Sequence, residues 1–318
     1  MIKILLIYFL FVYTLFADYP NKPLNIVVGF SKGGATYEMA KIMKPFLEEQ
    51  LNQEVNIVNM PGEASLYASN YVLTKDDGYT IFASTFVPYL ASNILTKNAN
   101  FKIHDFSIIN LQWFDYDLFA VRKDSRINNL HDILNKIKKN PYKIKAGVNK
   151  NSSGHLLLQL VLKKYNIPKN SLILKTYSGG EEVRQSLLKE EVDFIVVPAQ
   201  GSENYREKLK AIVVNTTERT KRWDAETLFE ILRTDKIKMP FLHGSMRGFA
   251  VPTSFVQKHP NKYEILSKAF SKTLAKKEVQ NKLKQHRIGY IWLGQRHANR
   301  LVLESYNIFK KYNHLLKN

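Results

Sequence analysis

Apolar residues along the chain follow two alternating rhythms. Leu24-Asn25-Ile26-Val27-Val28-Gly29-Phe30 is a short β-branched run. After Ser31-Lys32-Gly33-Gly34-Ala35-Thr36, the residues Met39, Ile42, Met43, Phe46, Leu47 and Leu51 recur three and four apart. Short apolar runs bounded by turn residues predict strands, and three-four spacing predicts a helix with one buried face. The first unit therefore reads strand, Gly loop, helix. The same order recurs with a strand at 55–58, the turn Pro61-Gly62 and a helix through Leu66, Ala68, Tyr71, Val72 and Leu73. After Asp76-Asp77-Gly78 a third strand runs from Tyr79 to Ala83, and Ser84-Thr85 is expected to open another helix.

The middle of the chain repeats this grammar. Strands are predicted at 118–121, 143–148, 173–177, 193–197 and 209–214. Helices fall at 129–140, through Leu157 to Leu162, and through Val183 to Leu188. The last hundred residues read as mostly helical, notably Tyr263 to Leu283, and no fixed-period repeat or low-complexity tract is present. Strands alternating with helices through short loops predict α/β architecture, mixed but mostly parallel sheets flanked by helices. Ligands of such sheets sit beyond the strands' carboxyl ends, where the helices begin. That places the candidate site at the Ser/Thr/Gly loops.

At 318 residues the chain is long for a single core, and two lobes are expected. It has no cysteine, which excludes disulfides, thiolate metal sites and Cys nucleophiles. Met1-Ile2-Lys3, the apolar run Ile4 to Phe16 and Ala17 read as a secretory signal cleaved after Ala17; an uncleaved anchor is the alternative. The charge is +19, with 47 Lys+Arg against 28 Asp+Glu. Export argues against nucleic acid as the partner, and the lysines scatter over predicted helix faces, as Lys258, Lys262, Lys268 and Lys272 do. His243, His259 and His286 read as surface or loop residues. Trp113, Phe114, Tyr116 and Phe119 form an aromatic cluster that suits hinge or core packing, or the floor of an aromatic pocket.

Several segments, in order, resemble the extracytoplasmic solute-binding receptors of tripartite tricarboxylate transporters, the Bug or TctC family. They are Tyr19-Pro20-Asn21-Lys22-Pro23, Val28 to Thr36, Asn59-Met60-Pro61-Gly62, Asp77-Gly78-Tyr79-Thr80, Ser152-Ser153-Gly154-His155, Tyr177-Ser178-Gly179-Gly180 and Val192-Asp193. The resemblance runs from Tyr19 to about Phe255. It implies a two-lobed periplasmic-binding fold of the type II, Venus-flytrap kind. The crossover is expected near Val121 and the return near Ala211, so that 18–121 with 212–318 form lobe 1 and 122–211 form lobe 2. It also implies a periplasmic, monomeric receptor, not an enzyme, that binds a small organic acid or amino acid without cofactor or metal and delivers it to membrane permease subunits.

By the same resemblance the ligand-binding residues are Ser31, Lys32, Gly33, Gly34, Ala35 and Thr36 on the first loop, Glu63, Ala64 and Ser65 on the second, and Ser84 and Thr85 on the third. The second lobe adds Ser152, Ser153, Gly154, His155, Tyr177, Gly179, Gly180 and Asp193. Elementary chemistry agrees, since a helix start offers free N–H groups and positive potential to a carboxylate. Two positions depart from the family pattern: Tyr37 stands where Asp is usual, and Glu63-Ala64-Ser65 where Ala-Gly-Gly is usual. A carboxylate at a carboxylate site repels the ligand. Lys32 offsets Glu63, or Glu63 faces solvent, or the ligand carries an ammonium that Glu63 or Asp193 accepts. A hydrolase using Ser152 or Ser153, His155 and Asp193 is the alternative function, as is a ligand sensor on the same scaffold. No Gly-x-Ser-x-Gly elbow, His-Glu-x-x-His helix or phosphate loop is present.

Overall fold

A computed structural model describes residues 19–96 and 99–316; the proposed signal segment, 1–17, lies outside them. The chain opens with β1 (Leu24–Val28), α1 (Ala35–Leu51), β2 (Val55–Asn59), α2 (Leu66–Leu73), β3 (Thr80–Val87) and α3 (Tyr89–Thr96). β1 pairs in parallel with β2 on one side and β3 on the other. β3 runs straight through Ser84 and Thr85, so these two residues lie inside a strand and not in a loop. All eight of its residues are buried, which hides the period-two alternation that marks a one-faced strand.

β4 (Phe106–Asp115) ends next to β5 (Asp117–Arg122), with only Tyr116 between them, yet the two belong to different sheets. The second sheet then takes α4 (Leu130–Lys139), β6 (Lys145–Asn149), α5 (Ser153–Lys164), β7 (Ile173–Tyr177), α6 (Gly180–Leu188), β8 (Phe194–Pro198), the short α7 (Ala199–Ser202), β9 (Leu209–Val214), β10 (Glu226–Thr227) and α8 (Leu228–Thr234). β11 (Ser245–Pro252) returns to the first sheet. α9 (Thr253–Lys258), α10 (Pro260–Ala275), α11 (Lys277–Gln285) and α12 (Gly294–Tyr312) complete the chain.

Among the described residues the first sheet has the order β2-β1-β3-β11-β4 and the second β10-β9-β5-β8-β6-β7. β11 lies antiparallel between β3 and β4, and β5 antiparallel between β8 and β9. The chain thus changes sheet at Tyr116 and again between Thr227 and Ser245, not near Val121 and Ala211. Leu118, Phe119, Ala120 and Val121 are buried on both faces. Such a run fits the centre of either sheet, and only its pairing decides which.

Two strands carry no legible signal in the sequence. β4 reads as an aromatic cluster and β11 falls in the stretch read as helical. Both are buried along nearly their whole length, so neither alternates. β4 is an edge strand, and the segment before α12 covers it. The Asn110 amide donates to Ile291 O at 2.7 Å while its Oδ1 accepts from Leu293 N at 2.7 Å, and Asn299 bonds both backbone groups of Ile108. The Asn299 bonds, with that from Ile291 N to Gln112 O, occupy backbone groups that an exposed edge would offer to another chain. The segment 263–283 is two helices, with Lys276 in extended conformation between α10 and α11. Among the described residues, no helix is long and apolar enough to cross a membrane.

Candidate functional site

A cavity of about 950 Å³ lies between the two sheets and is lined from both. The first lobe supplies the loop after β1. Gly33, at φ 79°, turns the chain so that α1 starts at Gly34 and Ala35. No side chain caps that start, which leaves the first-turn N–H groups facing the cavity. Ser31, Gly33, Gly34, Ala35 and Thr36 all line it. Thr36 is buried, and its hydroxyl pairs with that of Thr85 on β3 at 3.0 Å.

The turn after β2 is strained. Beyond Gly62, the residues Glu63, Ala64 and Ser65 have φ of 49°, 54° and 76°, three successive left-handed residues that are not glycine. Each such residue costs roughly 1 kcal/mol relative to a right-handed conformation. Local and tertiary hydrogen bonds hold the turn: Ser69 Oγ donates to Ser65 O at 2.8 Å one helical turn back, Asn93 Nδ2 donates to Ala64 O at 2.9 Å, and Ser65 Oγ meets Ser84 Oγ at 3.2 Å. Gly29 sits directly beneath, so close that a Cβ there would stand 1.8 Å from Ser65 Oγ. The outcome is that Ala64 lines the cavity with Pro61 and Gly62, while Glu63 is exposed and outside the lining and Ser65 and Ser84 are buried behind it.

The second lobe divides unexpectedly. α6 begins at Gly179 with no side-chain cap, and Ser178, Gly179 and Gly180 line the cavity. α5 has its own cap: Ser152 Oγ accepts from His155 N at 3.1 Å. A helix start satisfied by its own residue has fewer donors left for a ligand. Ser152, Ser153, Gly154 and His155 are all buried and outside the lining. Gly154 packs on the backbone of Val196, where a Cβ would stand 2.6 Å from the carbonyl oxygen. His155 Nδ1 accepts from Asn151 N, and burial lowers its pKa to about 4, so the ring is a neutral structural group.

Three further expected residues lie elsewhere. The Asp193 carboxylate accepts from Lys145 N at 2.7 Å, and Asp193 N donates back to Lys145 O. This ties together the amino ends of β6 and β8, the opposite end of the sheet from the loops, so Asp193 joins neither ligand site nor triad. Tyr177 ends β7 and its hydroxyl points to Glu191 Oε2 at 3.5 Å, away from the lining. Lys32 is exposed beside the first loop without lining the cavity.

What the sequence did not reveal is a charged group contributed by the two unread strands and by α6. Arg247 on β11 is 9% exposed and lines the cavity, its guanidinium 4.4 Å over the Trp113 ring of β4. Its Nη1 stands 3.8 Å from Asp115 Oδ2, an ion pair with no hydrogen bond, and has no hydrogen-bond partner. Asp115 Oδ1 accepts from Gln200 N at 3.2 Å. Burial raises the Asp115 carboxyl above its usual range, and Arg247 pulls it back. Across the cleft, Arg184 of α6 donates from Nε to Ser202 Oγ at 2.9 Å and from Nη2 to Pro198 O at 3.0 Å. Gly180 and Gly201 make room for its guanidinium, which a Cβ on Gly201 would meet at 2.3 Å. Tyr89, Asn149, Glu181, His286 and Arg287 also line the cavity, and buried Asn149 Oδ1 has no partner.

Behind the lining, Asp117 is fully buried and neither of its oxygens completes a hydrogen bond. Burial raises its pKa to about 7, with the neighbouring Ser153 hydroxyl opposing the shift and Asp115 adding to it. Phe119, of the same aromatic cluster as Trp113, is core. Among the described residues no group of three or more His, Asp or Glu is placed to hold a metal ion.

Comparison with known proteins settles the kinship. The model of the tripartite tricarboxylate transporter family receptor matches residues 39–312. The chain belongs to that family. A UPF0065 protein of Bordetella pertussis is 27% identical over 56% of this chain and 55% of its own length. The chain spans little more than half the length of the curated relatives it matches first. Among solved structures, a TctC solute-binding protein from Polaromonas aligns with TM-score 0.75 at 21% identity, covering 93% of this chain and 99% of that one. MatC from Rhodopseudomonas palustris, solved with bound malate, aligns with TM-score 0.69 at 20% identity over 94% of this chain and 100% of that one. The fold of this receptor family is therefore the two-lobed one described above.

Proposed function

We propose that the protein is an extracytoplasmic solute receptor. It captures a small carboxylate-bearing solute between its lobes and presents it to the permease subunits of a tripartite transporter. One observation carries this reading: two uncapped helix starts, α1 from one lobe and α6 from the other, face a single cavity of about 950 Å³ together with two buried arginines. Free N–H groups and the positive ends of helix dipoles favour an anion there. A volume of that order suits a small organic molecule. Malate bound to a structural neighbour supports the carboxylate class. Family membership supports the transporter partner and a periplasmic location, and the leader read at Met1 to Ala17 is consistent with export. Ligand held by both lobes favours their closed arrangement, as in other hinge-closing receptors.

The test is a thermal-shift screen of residues 18–318, unfolded and refolded to strip carried-over ligand, against mono-, di- and tricarboxylates, amino acids and aromatic acids. A solute that binds only the folded state raises the melting temperature by mass action. A shift confined to acid-bearing solutes is the expected result. Turnover of any bound solute, or shifts only with solutes lacking an acid group, would overturn the receptor reading.

A further inference from the structure

Arg247 combines three properties. It is nine-tenths buried, it lines the cavity, and its Nη1 donor has no hydrogen-bond partner. Leaving a buried donor unmet is costly, more so for a charged group, so native structures rarely keep one without a use. The side chain is also held in place: the Trp113 ring centre lies 4.4 Å from the guanidinium carbon, and Asp115 stands close enough to balance its charge without engaging Nη1 in a hydrogen bond. A planar guanidinium fixed this way presents its free edge as a fork suited to a carboxylate. The missing partner is an acceptor, and the cavity that the Arg247 side chain lines is where a ligand would bring one.

We infer that Arg247 is the specificity-determining residue of this cleft, pairing with a second anionic group of the ligand. The first group is held at the backbone donors where α1 begins. The inference rests on the receptor reading above and goes further by assigning the ligand two acidic groups. Arg184 faces the same cavity from the other lobe, but two of its donors are already committed to Ser202 and Pro198. It adds positive potential and plays the smaller part. The zwitterionic alternative, an amino acid whose ammonium needs a carboxylate, no longer has Glu63 or Asp193 to call on, because neither lines the cavity. The acids that do line it are Glu38, Glu181 and Asp115, and each already has a partner: Glu38 stands 4.0 Å from Lys41, Glu181 accepts from Tyr205 and Gln185, and Asp115 faces Arg247.

Calorimetric titration of residues 18–318 with straight-chain diacids from malonate to pimelate, each against the monoacid of equal carbon number, tests this. At least one diacid is expected to bind about tenfold or more tighter than its matched monoacid, the range set by one charge-assisted hydrogen-bonded pair. Arg247→Gln is expected to bring that ratio close to one. Arg247→Lys, which keeps the charge and guards against a folding defect in the first variant, is expected to retain part of it, and Arg184→Gln most of it. Equal affinities for diacids and monoacids in the unmodified protein overturn the inference and leave the receptor reading standing. Tighter binding of L-norvaline than of any diacid also overturns it, as does a ratio that survives Arg247→Gln. Absence of binding by every acid overturns both readings together.

Discussion

The two walls of the cleft are built on different principles. On the α1 side the cavity is walled mostly by backbone: an uncapped helix start, glycines and small hydroxyl residues, positioned by a loop of six consecutive residues. On the β11 side it is walled by side chains, Arg247 over Trp113 beside Asp115, brought together from strands more than a hundred residues apart in the chain. The first wall offers a general anion site whose donors belong to any sequence that makes the turn. The second sets a demand that only particular solutes meet. On the proposed reading, general capture and selective recognition come from local and long-range structure respectively, and each can be disturbed separately.

The largest effect is expected at Gly29. A Cβ there would meet Ser65 Oγ at 1.8 Å and Ser65 Cα at 2.9 Å, and the strained turn above has no room to yield. Gly29→Ala is expected to destabilise the protein by about 3 kcal/mol in urea melts and to abolish acid binding. Normal affinity in this variant would show that the backbone wall does not hold the ligand.

Asp117→Asn probes the other wall from behind. Its folded pKa of about 7 lies above the unfolded value near 3.8, so the folded state holds the extra proton between these values. Stability then falls as pH rises through that window. His155 acts oppositely: with its folded pKa lowered to about 4, it makes stability rise from pH 4 to 6.5. The two slopes offset each other in the unmodified protein over that range. The Asn variant is expected to melt higher at pH 8, and to show the His155 slope uncovered below 6.5. Identical pH profiles for variant and parent would remove Asp117 from this account.

A smaller effect is expected for Thr36→Val, which leaves the Thr85 hydroxyl without its partner. About 1 kcal/mol of stability should be lost, and acid affinity with it, while Thr36→Ser restores both. The smallest belongs to Lys32→Ala. Lys32 is exposed, so stability should change by less than about 0.5 kcal/mol. Any loss of affinity should disappear in high salt, as expected of a screened surface charge. A loss that persists in high salt would place Lys32 inside the closed site.

How far the site was legible follows from the same contrast. The strand, Gly loop and helix at 24–51 were readable because β1 and α1 have different periods and a glycine turn between them. Gly179-Gly180 was readable for the same reason. Ser152 to His155 looked identical on paper, yet Ser152 turned inward to cap its own helix, a choice settled by burial against Val196 and Asp117. Glu63, at odds with a carboxylate site, turned outward because the turn that carries it is left-handed. Asp193 matched a motif but sits at the wrong end of its strand. Arg184 and Arg247 had no local signature, being single arginines in a chain with 47 basic residues.

The amino-acid sequence alone determined the α/β class, the alternation of strands and helices and the loops at helix starts, because periodicity and turn chemistry act over a few residues. Tertiary structure decided the rest. Which sheet receives β4, β5 and β11 depends on pairing between buried strands that show no alternation. Which helix start stays open depends on what packs against it. The position of Arg247 depends on both, since a buried charge is placed by partners from distant parts of the chain and by the cavity that leaves one of its donors free.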